Sequence, residues 1–122
     1  MTTPQRRIGD AGERLAADYL ERHGHRVIDR NVRRREGEID LVTIEGDTVV
    51  FVEVKLRRPR EFGRAVEALT AAKRRRLQTL AEAYAAEHPE LPQAQRIDLV
   101  AVELGADGSV REVRHVESAV EG

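Results

Sequence analysis

No cysteine occurs among the 122 residues, which excludes disulfides, thiolate zinc sites and cysteine nucleophiles. Aromatics are nearly as scarce: two Phe, two Tyr and no Trp leave Val, Leu, Ile and Ala to fill the core. Long apolar runs are missing too. Stretches such as Val49 to Val52 fall far short of the roughly twenty residues that a membrane helix needs, so no membrane span is expected. The start, "MTTPQRRIGD", carries charge with no apolar h-region after it, so it does not read as a signal peptide and a cytoplasmic location is expected. Lysine is the scarce cation: 19 arginines stand against Lys55 and Lys73 alone. Such a bias fits a GC-rich genome. Unless the two lysines survive by chance, each marks a place that wants a compact ammonium rather than a planar fork.

What is present suits one compact domain over residues 1–122, with no repeat, low-complexity tract or dividing linker. Net charge is −1, which argues against a strongly basic nucleic-acid binder, yet arginines cluster at 30 to 35, 57 to 64 and 74 to 76. Apolar periodicity predicts a helix from Ile8 to His23, with Ile8, Gly12, Leu15, Tyr19 and Leu20 on one face and Gly24 as its stop. Strands are expected at Arg26 to Asn31, Gly37 to Glu45 and Thr48 to Leu56, the last two joined by a tight turn at Gly46-Asp47. Thr70 reads as the N-cap of a helix running to about Glu87, and "HPELP" ends it. Gln95 to Leu104 and Val110 to Val116 complete the list as strands around "GADGS". That order makes the chain α/β with a mixed sheet.

The hairpin "GEIDLVTIEGDTVVFVEVKLRR", Gly37 to Arg58, mixes charge into apolar strands. A two-residue turn pairs Glu45 with Thr48, and counting outward opposes Asp40 to Glu53 and Glu38 to Lys55. Opposed residues have Cβ atoms about 4.5–5.5 Å apart, and Lys55 shares the face of Glu53. Val42, Ile44, Val49 and Phe51 lie on the charged face, with Ile39, Leu41, Val50, Val52 and Val54 behind. Two carboxylates and an ammonium therefore converge at the open end. Arg33, Arg34 and Arg35 enter there and Arg57, Arg58 and Arg60 leave, which would make an anion-binding rim.

Opposed carboxylates repel unless a proton or cation intervenes, and all-oxygen donors favour Mg²⁺ or Mn²⁺. A metal there could polarise a phosphate oxygen, with Lys55 offsetting charge that develops on the phosphorus centre. Spacing alone leaves open a salt-bridge cluster, with Lys55 between Glu38 and Glu53 and Asp40 paired to an arginine.

The stretch "GEID…VFVEVKLR", preceded by "GDAGERLAADYL" and "RN", resembles the YraN-type family of small bacterial endonuclease-like proteins, within the PD-(D/E)XK nuclease superfamily, and is similar to archaeal Holliday-junction resolvases. The match runs from Ile8 to about Val102. The resemblance implies a restriction-endonuclease-like αβββαβ core, a mixed central sheet flanked by helices. It further implies that Asp40 and Glu53 are metal ligands with the Val54 carbonyl beside them, that Lys55 is catalytic, and that Glu13 is the first-helix glutamate of such nucleases. Ile39 stands where the superfamily name has proline. Read without the family, Glu13 sits at the edge of the apolar stripe, where it could reach over the sheet margin, and reads rather as an ordinary exposed glutamate.

Lys73 heads the stripe Lys73, Leu77, Leu80, Tyr84 and either snorkels or lends charge to a phosphate, as Lys or Gln does on this helix in similar nucleases. Asp98 could pair with Arg96 or lie near an edge strand, and takes no role. His23, His25, His88 and His115 lack metal-site spacing and read as solvated or structural, no serine has a base partner, and no phosphate-cradling glycine motif is present. The expected function is that of a divalent-metal-dependent endonuclease-like protein that binds and cleaves DNA, branched or processed structures included. The alternatives are a non-catalytic nucleic-acid-binding module on the same fold and a protein-interaction domain. Nucleic acid is the expected partner, no membrane is, and a homodimer is compatible with the reading.

Overall fold

The computed structural model describes residues 4–58 and 69–120, the side chains of residues 4–8 excepted. Arg60 and Arg64, and the side chain of Ile8, lie outside that description. Helix α1 (Pro4–Arg22) is followed by β1 (Arg26–Arg34), β2 (Gly37–Glu45), β3 (Thr48–Arg57), α2 (Ala71–Glu87), β4 (Ala94–Leu104) and β5 (Val110–Val120). The expected αβββαβ core is present, followed by the expected fifth strand, which runs on to Val120. All five strands form one sheet in sequence order. The β3–β4 pair is parallel and bridged by α2, while the other pairs are antiparallel, so the sheet is mixed.

Local chemistry sets the ends of these elements. Gly24 takes a φ of +90°, and its N–H and that of His25 reach back to the Glu21 and Leu20 carbonyls, a Schellman stop for α1. Gly46 supplies the φ of +59° that the β2–β3 turn requires. The Thr70 hydroxyl accepts from the Lys73 N–H at 3.2 Å and caps α2.

The helices cover opposite faces of the sheet. Ala16, Ala17 and Leu20 of α1 pack with Leu41, Val50, Val52 and Val100. Leu77, Leu80, Ala81 and Tyr84 of α2 pack with Val42, Val49, Phe51, Ile97 and Leu99, and the Phe51 and Tyr84 rings meet edge to face at 5.8 Å. The alternation expected for the hairpin therefore holds, with one correction. Ile39 joins the α2 layer rather than the face of Leu41. Its strand has by then left β3, and Asn31 on the neighbouring β1 sits at a φ of +51°, so the regular pleat is broken there. For the same reason β1 does not end at Asn31: the kinked strand stays paired through Val32–Ile39 and Arg33–Glu38 to Arg34–Gly37. No described helix is long and apolar enough to cross a membrane.

Candidate active site

The β2–β3 ladder runs from Glu45–Thr48 to Leu41–Val52 and stops there. Beyond that rung β2 stays with β1 and β3 stays with β4 as far as Arg57, so the two strands splay into a fork. Asp40 and Glu53 are the first residues past the last rung. They flank the fork instead of forming a ladder pair, and the Asp40 carboxylate takes over the missing backbone bond: its Oδ2 accepts from the Val54 N–H at 2.7 Å. Among the described residues Asp40 has no arginine partner, which removes one half of the salt-bridge alternative.

Burial and repulsion set the protonation of this fork. Asp40 is pushed up to about 8, first by loss of solvent and then by the Glu53 charge, with the Val54 N–H pulling the other way. Glu53 is raised as well, because burial outweighs the nearby Lys73 and Lys55 ammoniums. Glu13 reaches over from α1 and is raised by burial, then by Glu38 and Asp10. Carboxylate oxygens of Glu13, Glu38 and Asp40 lie within 4.8 Å of one another. Asn31 binds two of these acids. With its amide nitrogen turned toward them, as the surrounding acceptors require, it donates to Glu13 Oε2 at 2.9 Å and to Glu38 Oε1 at 2.8 Å. Left-handed backbone costs Asn less than most residues, and here that conformation places its side chain against both acids.

On the α2 side, Glu38, Glu53, Lys73, Arg76, Leu77 and Leu80 line a small cavity of about 100 Å³. Glu13, Glu38 and Asp40 thus gather at the fork, Glu53 lines the cavity on the α2 side with Lys73, and Lys55 is half-buried and acts on the charge of Glu53. Val54 is present through its N–H, which orients Asp40. The arginine rim is less uniform than expected. Arg33 sits 3.7 Å from Glu38 and Arg34 is held by Glu87 at 2.6 Å, whereas Arg35 and Arg58 are exposed and Arg57 is buried. Sequence reasoning missed Asn31 and Arg76, and it took Glu38 for a partner of Lys55. Each had a signal: Glu38 is two strand residues from Asp40, Arg76 one helical turn from Lys73, and Asn31 belongs to the quoted "RN".

Residues 12–102, which hold the whole fork, match Uncharacterised protein family UPF0102. The chain belongs to this family. It is the YraN-type family whose motifs the sequence carries. One relative, UPF0102 protein STH1475 of Symbiobacterium thermophilum, is 53% identical over 106 residues, covering 87% of this chain and 90% of its own. A UPF0102 protein of Chloroflexus aurantiacus is 47% identical over 122 residues, covering 98% of each. Among solved structures, Pyrococcus furiosus SfsA in complex with Ca²⁺ aligns with 97% of this chain and 65% of that one, at 19% identity and a TM-score of 0.42.

A second polar cluster is centred on Asp98, whose partner on β3 is Val52, the last residue of the β2–β3 ladder. Asp98 has no exposed surface and receives Arg96 through two bonds of 2.8 and 3.0 Å, His115 at 2.7 Å and the Ser118 N–H at 3.0 Å. Burial alone would raise this carboxyl, but the bonds from His115, Arg96 and Ser118 outweigh it and hold it below its ordinary value. Arg96 also reaches Glu45, which lies 3.1 Å from the buried His25, and the other ring nitrogen of His25 meets the Thr43 hydroxyl at 2.8 Å. Asp98 therefore pairs with Arg96, as one reading allowed, on an interior strand rather than an edge. His25 and His115 are structural.

Proposed function

We propose that this chain is a divalent-metal-dependent endonuclease-like protein that binds nucleic acid, DNA above all, and hydrolyses its phosphodiester backbone. The observation that carries the reading is the fork: Asp40 and Glu53 are largely buried, both are raised toward the neutral form, and no arginine among the described residues neutralises Asp40. An all-oxygen set of repelling carboxylates fits a hard divalent ion such as Mg²⁺ or Mn²⁺. Asp40 and Glu53 would hold it with the Val54 carbonyl, and Glu13 and Glu38 stand next to them. Such an ion supplies Lewis acidity toward a phosphate oxygen. The protein's own groups do the rest. The Val54 N–H fixes the Asp40 carboxylate, Asn31 fixes Glu13 and Glu38, and Lys55 offsets charge developing on the phosphorus centre. Membership in a family whose motifs resemble PD-(D/E)XK nucleases supports the same reading.

The test incubates parent and Asp40→Asn proteins with branched, nicked, linear and single-stranded DNA and with RNA, each with Mg²⁺, Mn²⁺ or chelator. Metal-dependent cleavage by the parent alone is expected. No cleavage of any substrate, or equal cleavage by the variant, would overturn the proposal.

A further inference from the structure

We infer that Arg76 is a phosphate-binding residue of the fork and that Gly37 seats it. This rests on the nucleic-acid reading above and adds that the α2 face meets sugar-phosphate backbone rather than a base. Lys73 and Arg76 lie one helical turn apart on α2 and line the same small cavity as Glu53. The arginine stem crosses the one β2 residue that lacks a side chain. A Cβ built on Gly37 would stand 3.3 Å from Arg76 Cδ and 3.6 Å from Leu80 Cδ1, at a φ of +150° that side chains rarely adopt.

Several other arginines are already committed: Arg34 to Glu87, Arg96 to Asp98 and Glu45, and Arg74 to the Leu69 carbonyl. Among the described residues no carboxylate forms an ion pair with Arg76 within 4.0 Å, although Glu53 and Glu38 line the same cavity. The first turn of α2 contains no acidic residue, so the positive end of the helix is not offset there. A guanidinium presents two parallel N–H donors, which match two oxygens of one phosphodiester. The cavity, at about 100 Å³, has room for a phosphate group. Contacts of this kind position a backbone and carry no base sequence.

The experiment measures fluorescence anisotropy of labelled duplex and single-stranded oligonucleotides, with chelator and with Ca²⁺, over a series of salt concentrations. Parent, Arg76→Gln, Arg76→Lys and Gly37→Ala proteins are compared, and urea midpoints check their folding. Arg76→Gln should keep the parent's midpoint, bind about fivefold more weakly and lose about 0.9 from the log–log salt slope on duplex or about 0.7 on single strands. Arg76→Lys should retain the slope while losing part of the affinity. Gly37→Ala, if folded, should match the weakened binding. A parent that binds while Arg76→Gln keeps both affinity and slope overturns this inference and leaves the nuclease reading standing. A parent that binds no nucleic acid in any arm overturns both.

Discussion

Replacing Asp40 with Asn should stabilise the metal-free protein, because it removes a charge that the fold holds at a cost. The carboxyl moves from an ordinary 3.8 to about 8 on folding, through burial and then the Glu53 charge. At about 1.36 kcal/mol per unit the ceiling is about 6 kcal/mol, and water at the open side of the fork brings the expected gain to about 2 to 3 kcal/mol. For a chain of this size about 1 kcal/mol moves the melting temperature by about 4 °C, so a rise of about 10 °C is expected at pH 8 in chelator. The sign is fixed by linkage. Between pH 3.8 and about 8 the folded state keeps a proton that the unfolded chain loses, so this group's contribution to stability falls across that window and the variant's advantage grows with it. Mn²⁺ should restore the parent by about 2.7 kcal/mol at a hundredfold excess over its dissociation constant and do little for the variant. Asn keeps an oxygen for the Val54 N–H, so the comparison isolates charge. Thermal melts at pH 5 and 8, with chelator and with Mn²⁺, decide the matter. A variant that melts lower than the parent, together with a parent indifferent to metal, would refute the metal-site reasoning.

Lys55→Ala should lose most turnover while retaining substrate affinity, since a group that acts on developing charge affects rate more than binding; equal turnover in single-turnover kinetics would remove it from the mechanism. Replacing Arg33 and Arg35 with Gln should flatten the salt dependence of DNA binding by up to about one unit per lost contact, whereas Arg34→Gln should leave the slope unchanged because Glu87 already occupies that fork. A loss of slope with Arg34→Gln alone would show that the Glu87 pair opens on binding. Asp98→Ala strands Arg96 and His115 and should cost about 3 to 5 kcal/mol, read from urea midpoints. Because the folded Asp98 carboxyl is held low, its contribution is present above the unfolded value and is lost as pH falls through the folded one, so the gap between parent and Asp98→Ala should narrow in acid. A gap that stays constant would place the stabilisation outside the carboxylate.

The hairpin was readable from sequence because a two-residue turn fixes parity, and parity alone brings Asp40 and Glu53 to neighbouring positions. The fork was not. It arises from pairings on the outer sides of the two strands, β1 with β2 and β4 with β3, and neither partner is visible within the hairpin. Asn31 read as the end of a strand because nothing local distinguishes a left-handed kink from a stop. The cluster around Asp98 draws on residues from β2, β4 and β5 and on His25 just after α1, and single-strand alternation places none of them together. Set side by side, the two polar centres explain each other. At Asp98 a fully buried carboxylate is met by Arg96, His115 and a backbone N–H, and its pKa is held low. At the fork, Asp40 is met by one backbone N–H and by three more acids, and its pKa is driven up. The chain has 19 arginines and uses one to neutralise Asp98, so a shortage of cations does not account for the fork. A sheet that neutralises one buried carboxylate and leaves Asp40 among like charges fits the proposal that a divalent cation completes the fork.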